Sequence, residues 1–185
     1  ASPAYTQIKG ADLYGKKLTG SYTRIYFHEH PEEYSCKFLP YAAQTDILMN
    51  GVYWDKNVPR LFEKEDARSD EFIIQTIADI TDDANGSVPI NLGDQSIADP
   101  VYGVDKKTLE KTAPYLPGSI DLMAVGNLPN ELPRDASRYF GEQLIKFILE
   151  DLLGNGSAII DRATIVKQGA LTAEFEYMRD YAEGR

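Results

Sequence analysis

The stretch EFIIQTIADITDDANGS, Glu71 to Ser87, changes character at Thr81. Up to Ile80 it is nearly continuously apolar and rich in β-branched residues. Beyond it come Asp, Asn, Gly and Ser, which bend the chain. Such an apolar run predicts a strand covered on both faces, as in a parallel sheet, and the polar cluster predicts its turn. Two other stretches repeat the design. Thr45–Asn50 (TDILMN) predicts a buried strand ending at Asn50-Gly51, and Ser119–Val125 (SIDLMAV) predicts one ending at Gly126-Asn127. Three such strands, with helical segments between or after them, predict an α/β domain with a mainly parallel sheet.

The flanking sequence is read from this frame. Residues 1–44 are an irregular excursion, with a short strand expected at Thr23–Phe27 and a helical turn at Glu32–Leu39. A short helix is expected at Glu65–Arg68, and extended pieces at Val88–Leu92 and Pro100–Val104. From Pro133 the spacing of Phe140, Leu144, Phe147, Ile148 and Leu152 predicts a helix with one buried face. Pro133 and Asp135 suit its first turn and Gly154 its end. Ala158–Leu171 is expected to form short strands around a Gln168-Gly169 turn. Thr172 is expected to cap a last helix carrying Phe175, Met178 and Tyr181 on one face.

Composition bounds the function. The 185 residues are 43% hydrophobic and 26% charged, ordinary for a globular chain. A net charge of −10 speaks against nucleic acid or an anionic membrane surface as a partner, because both require a basic face. No apolar run approaches the roughly 20 residues of a membrane span. The single cysteine, Cys36, cannot form an internal disulfide, so the cytoplasm is the expected compartment. The opening ASPAYTQIKG has no initiator Met, no clear element start and no secretory signal; it reads as a chain that begins inside a longer one.

In open α/β sheets, ligands bind outside the carboxyl ends of the strands. Three clusters fall there: Asn50-Gly51-Val52-Tyr53, Ile80-Thr81-Asp82-Asp83 and Val125-Gly126-Asn127-Leu128-Pro129. Glycine admits a close backbone approach, Tyr53 can wall an aromatic ring, and Asp82 and Asp83 can pair with a substrate ammonium. Taken singly, each cluster is also explained by turn chemistry.

Four segments, in order, carry a further signal: ILMNGVYWDKNVPRLF (Ile47–Phe62), IADITDDANGSVP (Ile77–Pro89), ADPVYGVD (Ala98–Asp105) and AVGNLPNELPRDASRYFG (Ala124–Gly141). Together they resemble the saccharopine dehydrogenase (L-lysine-forming) and lysine–ketoglutarate reductase family, related to alanine dehydrogenase and the transhydrogenase nucleotide-binding domain. The resemblance spans residues 40–153, with a looser match over 167–184. It implies a Rossmann-like fold and NAD or NADP as cofactor. Cofactor contacts then fall on Tyr53, Ile80, Val125, Gly126, Asn127 and Leu128, and substrate contacts on Thr81, Asp82 and Asp83. The implied reaction is hydride transfer at the C–N bond of an amino-acid adduct, linking an amino acid and a 2-oxo acid.

The chain departs from the family in two ways. No G-x-G-x-x-G follows a first strand. The family's other domain, with its catalytic lysine and histidine, has no counterpart, so no catalytic residue is assigned. The resemblance therefore implies the downstream part of a dinucleotide-binding domain over residues 1–137, and a helical segment over 138–185 returning toward a missing N-terminal catalytic domain. Such a piece is expected to be inactive alone. Three readings stay open: this oxidoreductase, an alanine-dehydrogenase-like enzyme, and a non-catalytic nucleotide-binding or regulatory module. Homo-oligomerisation is open as well.

His28-Glu29-His30, with Glu32 and Glu33 nearby, is weighed as a metal site on a strand face and set below a solvated loop. The Asp79–Gly86 spacing fails the calcium-loop pattern at its first and last ligand positions.

Overall fold

A computed structural model describes residues 4–185, so the first three residues of the expected excursion lie outside the described ones. The chain divides into two compact units, one ending at Leu128 and the other spanning Pro129–Arg185.

In the first unit the elements follow as α1 (Gly10–Leu13), β1 (Tyr14–Lys16), α2 (Arg24–Glu29), β2 (Tyr34–Cys36), α3 (Leu39–Ala42), β3 (Ile47–Asn50), β4 (Thr76–Asp79), β5 (Val101–Asp105), β6 (Lys111–Thr112) and β7 (Ser119–Met123). The central sheet has the order β3-β4-β7-β5-β6. β3 pairs parallel to β4 and β4 parallel to β7, while β5 runs antiparallel to both β7 and β6. Four of the five strands thus point the same way, giving the mainly parallel α/β sheet that the apolar runs predict. The strands are shorter than those runs, because ladder pairing begins only at Ile47 and Thr76.

Register separates the two faces. Leu48, Ile77, Ile120, Leu122, Tyr102 and Val104 point into one core, joined there by Phe38, Phe62, Phe72, Val88 and Ile90 from the connections. The other face carries Ile47, Met49, Ala78, Val101 and Met123, and Ile47 and Met49 are 64% and 69% exposed. Here the expectation of strands covered on both faces fails. The connection from β3 to β4 holds only a 3-10 turn, Asp66–Arg68, rather than an α-helix that could shield a second face.

Three local expectations are also corrected. Thr23–Phe27 is not a strand but the start of α2, where Phe27 stacks on Tyr14 at 4.5 Å between ring centroids while Ile25 faces solvent. Glu32–Leu39 is helical only at its ends, in a 3-10 turn (Pro31–Glu33) and at the start of α3; between them Tyr34–Cys36 pairs antiparallel with β1, and burial of Tyr34 outweighs local propensity. Val88–Leu92, buried as far as Asn91, forms no strand; Pro89 lacks an N–H, and the segment closes a turn from Asn91 N–H to the Val88 carbonyl.

In the second unit, α4 (Pro133–Phe147) and α5 (Leu149–Leu153) replace one continuous helix, with the break at Ile148. Pro133 and Asp135 occupy the first turn and Gly154 the C-cap, as expected. The apolar face is not buried: Phe140 is 65% and Phe147 52% exposed. A unit this small has too little chain to cover such a face itself. Ala158–Ala163 is not extended but helix α6, because the Ser157 hydroxyl caps it by accepting from Ile159 and Ile160 N–H. β8 (Val166–Lys167) and β9 (Ala170–Leu171) form the expected hairpin, with positive φ at both Gln168 and Gly169. Thr172 does not cap; its hydroxyl donates to the Thr164 carbonyl, and a 3-10 segment (Ala173–Met178) precedes α7 (Arg179–Ala182).

Candidate functional site

β3 and β4 deliver their carboxyl ends side by side, Asn50 opposite Asp79. The chain leaves them as two loops that wall an open cleft of about 440 Å³. Gly51, Val52, Tyr53 and Trp54 line it from one loop, and Ile80, Thr81 and Asp83 from the other. The loops are stitched together. Ile80 N–H donates to the Asn50 carbonyl at 2.8 Å, and the Thr81 hydroxyl donates to the Val52 carbonyl at 2.6 Å. Trp54 donates its indole N–H to the Val58 carbonyl, folding the first loop on itself. This leaves the Tyr53 ring 82% exposed at the rim, and nothing lies within 4 Å of where a Cβ on Gly51 would sit. The cleft thus offers an aromatic wall, bare backbone, a hydroxyl and a carboxylate. That donor set fits a nucleoside or small polar molecule.

Of the sequence-proposed contacts, Tyr53, Ile80, Thr81 and Asp83 converge in this cleft. Asp82 turns away from it. The Asp82 carboxylate lies beside that of Asp94 over Gly126, whose N–H donates to Asp94 at 2.8 Å. A Cβ on Gly126 would stand 3.0 Å from an Asp82 oxygen, so the glycine makes room for two carboxylates. Val125 is buried behind them, and Asn127 and Leu128 leave the sheet toward a short 3-10 turn, Leu128–Glu131. None of Val125, Gly126, Asn127 and Leu128 lines the cleft.

Beneath the loops lies a buried polar network absent from the sequence-based site. Asn50 donates to the Asp79 carboxylate at 2.7 Å and to the Ser87 hydroxyl at 2.8 Å. Asn91 donates to the other Asp79 oxygen at 2.8 Å and reaches Asp82 at 3.5 Å. The Asn91 side-chain carbonyl accepts from Gly93 N–H and the Tyr102 hydroxyl. Burial, with the Asp79 and Asp82 carboxylates near it, pushes the Tyr102 phenol up to about 12, so it remains a donor. Burial likewise raises Asp82 above the ordinary carboxylate range; the Asn91 amide opposes this, and Asp94 and Asp79 add to it. The network does have a sequence signal. Asn50 and Asp79 each follow an inward apolar residue by two positions, so strand alternation turns their polar side chains into the core.

Among the described residues, His30, Glu32 and Glu33 form a cluster that could hold a metal ion. Its exposed Glu33 is already engaged by Lys16 and the Tyr26 hydroxyl. His28 and His30 do not share a strand face, since residues 24–29 are helical and His30 caps the helix.

Fold and cleft together define a class: a mainly parallel α/β domain with a ligand-sized site outside the carboxyl ends of adjacent strands. No protein-family model matches the chain. Among curated proteins it is similar to the mitochondrial alpha-aminoadipic semialdehyde synthase of Mus musculus, 29% identical over 92% of this chain and 21% of that protein. It is also similar to the alpha-aminoadipic semialdehyde synthase of Arabidopsis thaliana, 28% identical over 88% of this chain and 16% of that protein. A third relative is the saccharopine dehydrogenase [NAD(+), L-lysine-forming] of Candida albicans, 29% identical over 58% of this chain and 27% of that protein. The resemblance carried by the four sequence segments therefore holds along most of the chain. The chain spans about a fifth of the length of the synthases it matches.

Proposed function

We propose that this chain is the nucleotide-site part of an NAD(P)-dependent amino-acid oxidoreductase of the saccharopine dehydrogenase and lysine–ketoglutarate reductase type. The carrying observation is the convergence of Tyr53, Ile80, Thr81 and Asp83, from two adjacent parallel strands, into one cleft at their carboxyl ends. The printed name of the Candida albicans relative gives NAD(+) as cofactor, and its similarity to this chain supports the same choice here.

In this reading the Tyr53 ring walls the flat face of a nucleoside, and Gly51 lets the ring approach backbone. The dinucleotide, when bound, supplies hydride transfer at a C–N bond. Thr81 and Asp83 fix polar groups at the cleft floor, and Asp82 meets the ammonium of an amino-acid substrate once its pairing with Asp94 is broken. Val125–Leu128 carry the cofactor's remaining contacts along the third strand end. In this reading, as the family resemblance implies, a lysine and a histidine of a further domain carry the acid–base chemistry. The exposed faces of α4 and of the sheet are surfaces that such a domain, or a second copy, would cover. The lone Cys36 agrees with a reducing compartment such as the cytoplasm.

For the full-length protein, NAD(P)H absorbance is followed with lysine plus 2-oxoglutarate and then with pyruvate plus ammonia. Turnover with the first pair is expected, and turnover with the second alone would indicate the alanine-dehydrogenase-like enzyme. No turnover with any amino or oxo acid, with NADH still binding, would leave the non-catalytic module. By calorimetry, Asp82→Ala is expected to weaken substrate more than cofactor; equal affinities in wild type and variant would remove Asp82 from the site.

A further inference from the structure

We propose that Asp79 is a positioning residue: its buried carboxylate, through Asn50 and Asn91, sets the placement of both loops that wall the cleft and the aim of the Asp82 side chain. The inference deepens the nucleotide-site reading and rests on it for its functional consequence.

Asp79 is 1% exposed, and the partners it binds are neutral. One oxygen accepts from Asn50 at 2.7 Å and from Asp82 N–H at 3.4 Å, and the other accepts from Asn91 at 2.8 Å. A buried carboxylate held by amides is costly unless each donor is well placed, so its geometry is imposed on whatever carries the donors. Those carriers are the site itself. Asn50 precedes Gly51, and its side-chain oxygen accepts Val52 N–H at 3.4 Å. The Asp82 N–H belongs to the turn between Thr81 and Asp83, both of which line the cleft. Asn91 holds Asp82 from the other side and fixes Gly93 next to Asp94. One acceptor therefore joins three chain segments, around Asn50, Asp82 and Asn91, and adds to the direct bonds that run between them. A carboxylate suits the position because it accepts on both oxygens. An amide there would present an NH2 group to one of the two asparagine NH2 groups.

This requirement supplies the test. Asp79→Asn opposes donor to donor, whereas Asp79→Asn with Asn91→Asp exchanges donor and acceptor across the 79–91 bond and keeps the bonds to Asn50, Gly93 and Tyr102, losing only the 3.5 Å contact from position 91 to Asp82. Two readouts are taken: NADH affinity by fluorescence titration, and the Asp82 carboxyl titration by NMR. The single variant is expected to raise the NADH Kd about tenfold or more, and the double variant to return it to within about threefold of wild type. Asp82 is faced by Asp79, Asp94 and Asn91, with the Gly126 N–H held by Asp94, so removing the Asp79 charge should shift its titration to lower pH. The carboxylate placed at position 91 in the double variant should raise it again, to the wild-type value or above, an effect that loss of packing alone does not produce. A single variant that binds NADH like wild type and leaves the Asp82 titration unmoved would overturn the assignment. So would a double variant no better than the single. Wild type failing to bind NADH would sink the nucleotide reading, while the Asp82 titration would still decide the clamp. If Asp79→Asn does not fold, Ser87→Ala removes one Asn50 acceptor instead; faster amide exchange at Val52 is expected, and unchanged exchange counts against the proposal.

Discussion

Asp82 occupies φ +55°, in the left-handed region where only Asn, Asp and Gly are common. It sits between Asp79 and Asp94, with burial holding its carboxyl above the ordinary range. The sign of the consequence follows. With its pKa raised on folding, the native state binds the proton more tightly than the unfolded chain. Ionisation therefore costs stability as pH rises through the raised value. Asn tolerates the same backbone conformation, so Asp82→Asn removes the charge without new strain. The variant's urea midpoint should exceed that of wild type at pH about 7, and the gap should close on acidification through the carboxylate range. A midpoint at or below wild type at neutral pH would contradict this. Residue identity here was legible in the sequence as a turn cluster at a strand end. That Asp82 faces Asp94 rather than the cleft was not, because Asp94 lies on a segment whose approach depends on Gly126.

At the scale of elements, periodicity located the strands and the long helix but not what covers them. The spacing of Phe140, Leu144, Phe147 and Leu152 marks one helical face, and the structure leaves that face exposed. Phe72, by contrast, is 2% exposed in the core, its ring tilted against that of Phe62 with centroids 4.8 Å apart. In this chain, Phe140→Gln with Phe147→Gln should change unfolding free energy by about 0.5 kcal/mol or less, whereas Phe72→Ala should cost about 3–5 kcal/mol. Chemical denaturation of the three proteins separates the cases; a large loss from the helix variants would mean that face is buried in solution. The short elements α2 and β2 were misread for a related reason. Segments of three to six residues are decided by a single anchor, Phe27 in α2 and Tyr34 in β2, and anchoring is non-local.

Across the whole molecule, the first unit presents a sheet closed on one face and open on the other. Parallel sheets are normally covered on both; here Ile47, Met49, Ala78 and Met123 form an apolar strip on the open face, with Ile47 and Met49 exposed. Replacing Ile47 and Met49 with threonine, which keeps strand propensity, should lower binding of an apolar dye such as ANS. The far-UV circular dichroism should be unchanged, with unfolding free energy within about 1 kcal/mol of wild type. Loss of cooperative unfolding would show that this face is needed for the fold.

By itself the sequence determined the α/β class, the three principal strands, the mainly parallel direction and the strand-end clusters. These follow from local patterns: apolar runs, turn residues and helical spacing. It also carried the likeness to saccharopine dehydrogenases and aminoadipic semialdehyde synthases in four motifs. Only the tertiary structure decided which strand ends share a cleft, since Tyr53 and Thr81 meet through the β3–β4 register. It alone showed that Gly126 yields its space to two carboxylates, and that Asp79 joins Asn50 to Asn91 beneath the cleft. Such contacts join residues far apart in the chain, and their partners are chosen by register and burial, which no window of sequence contains.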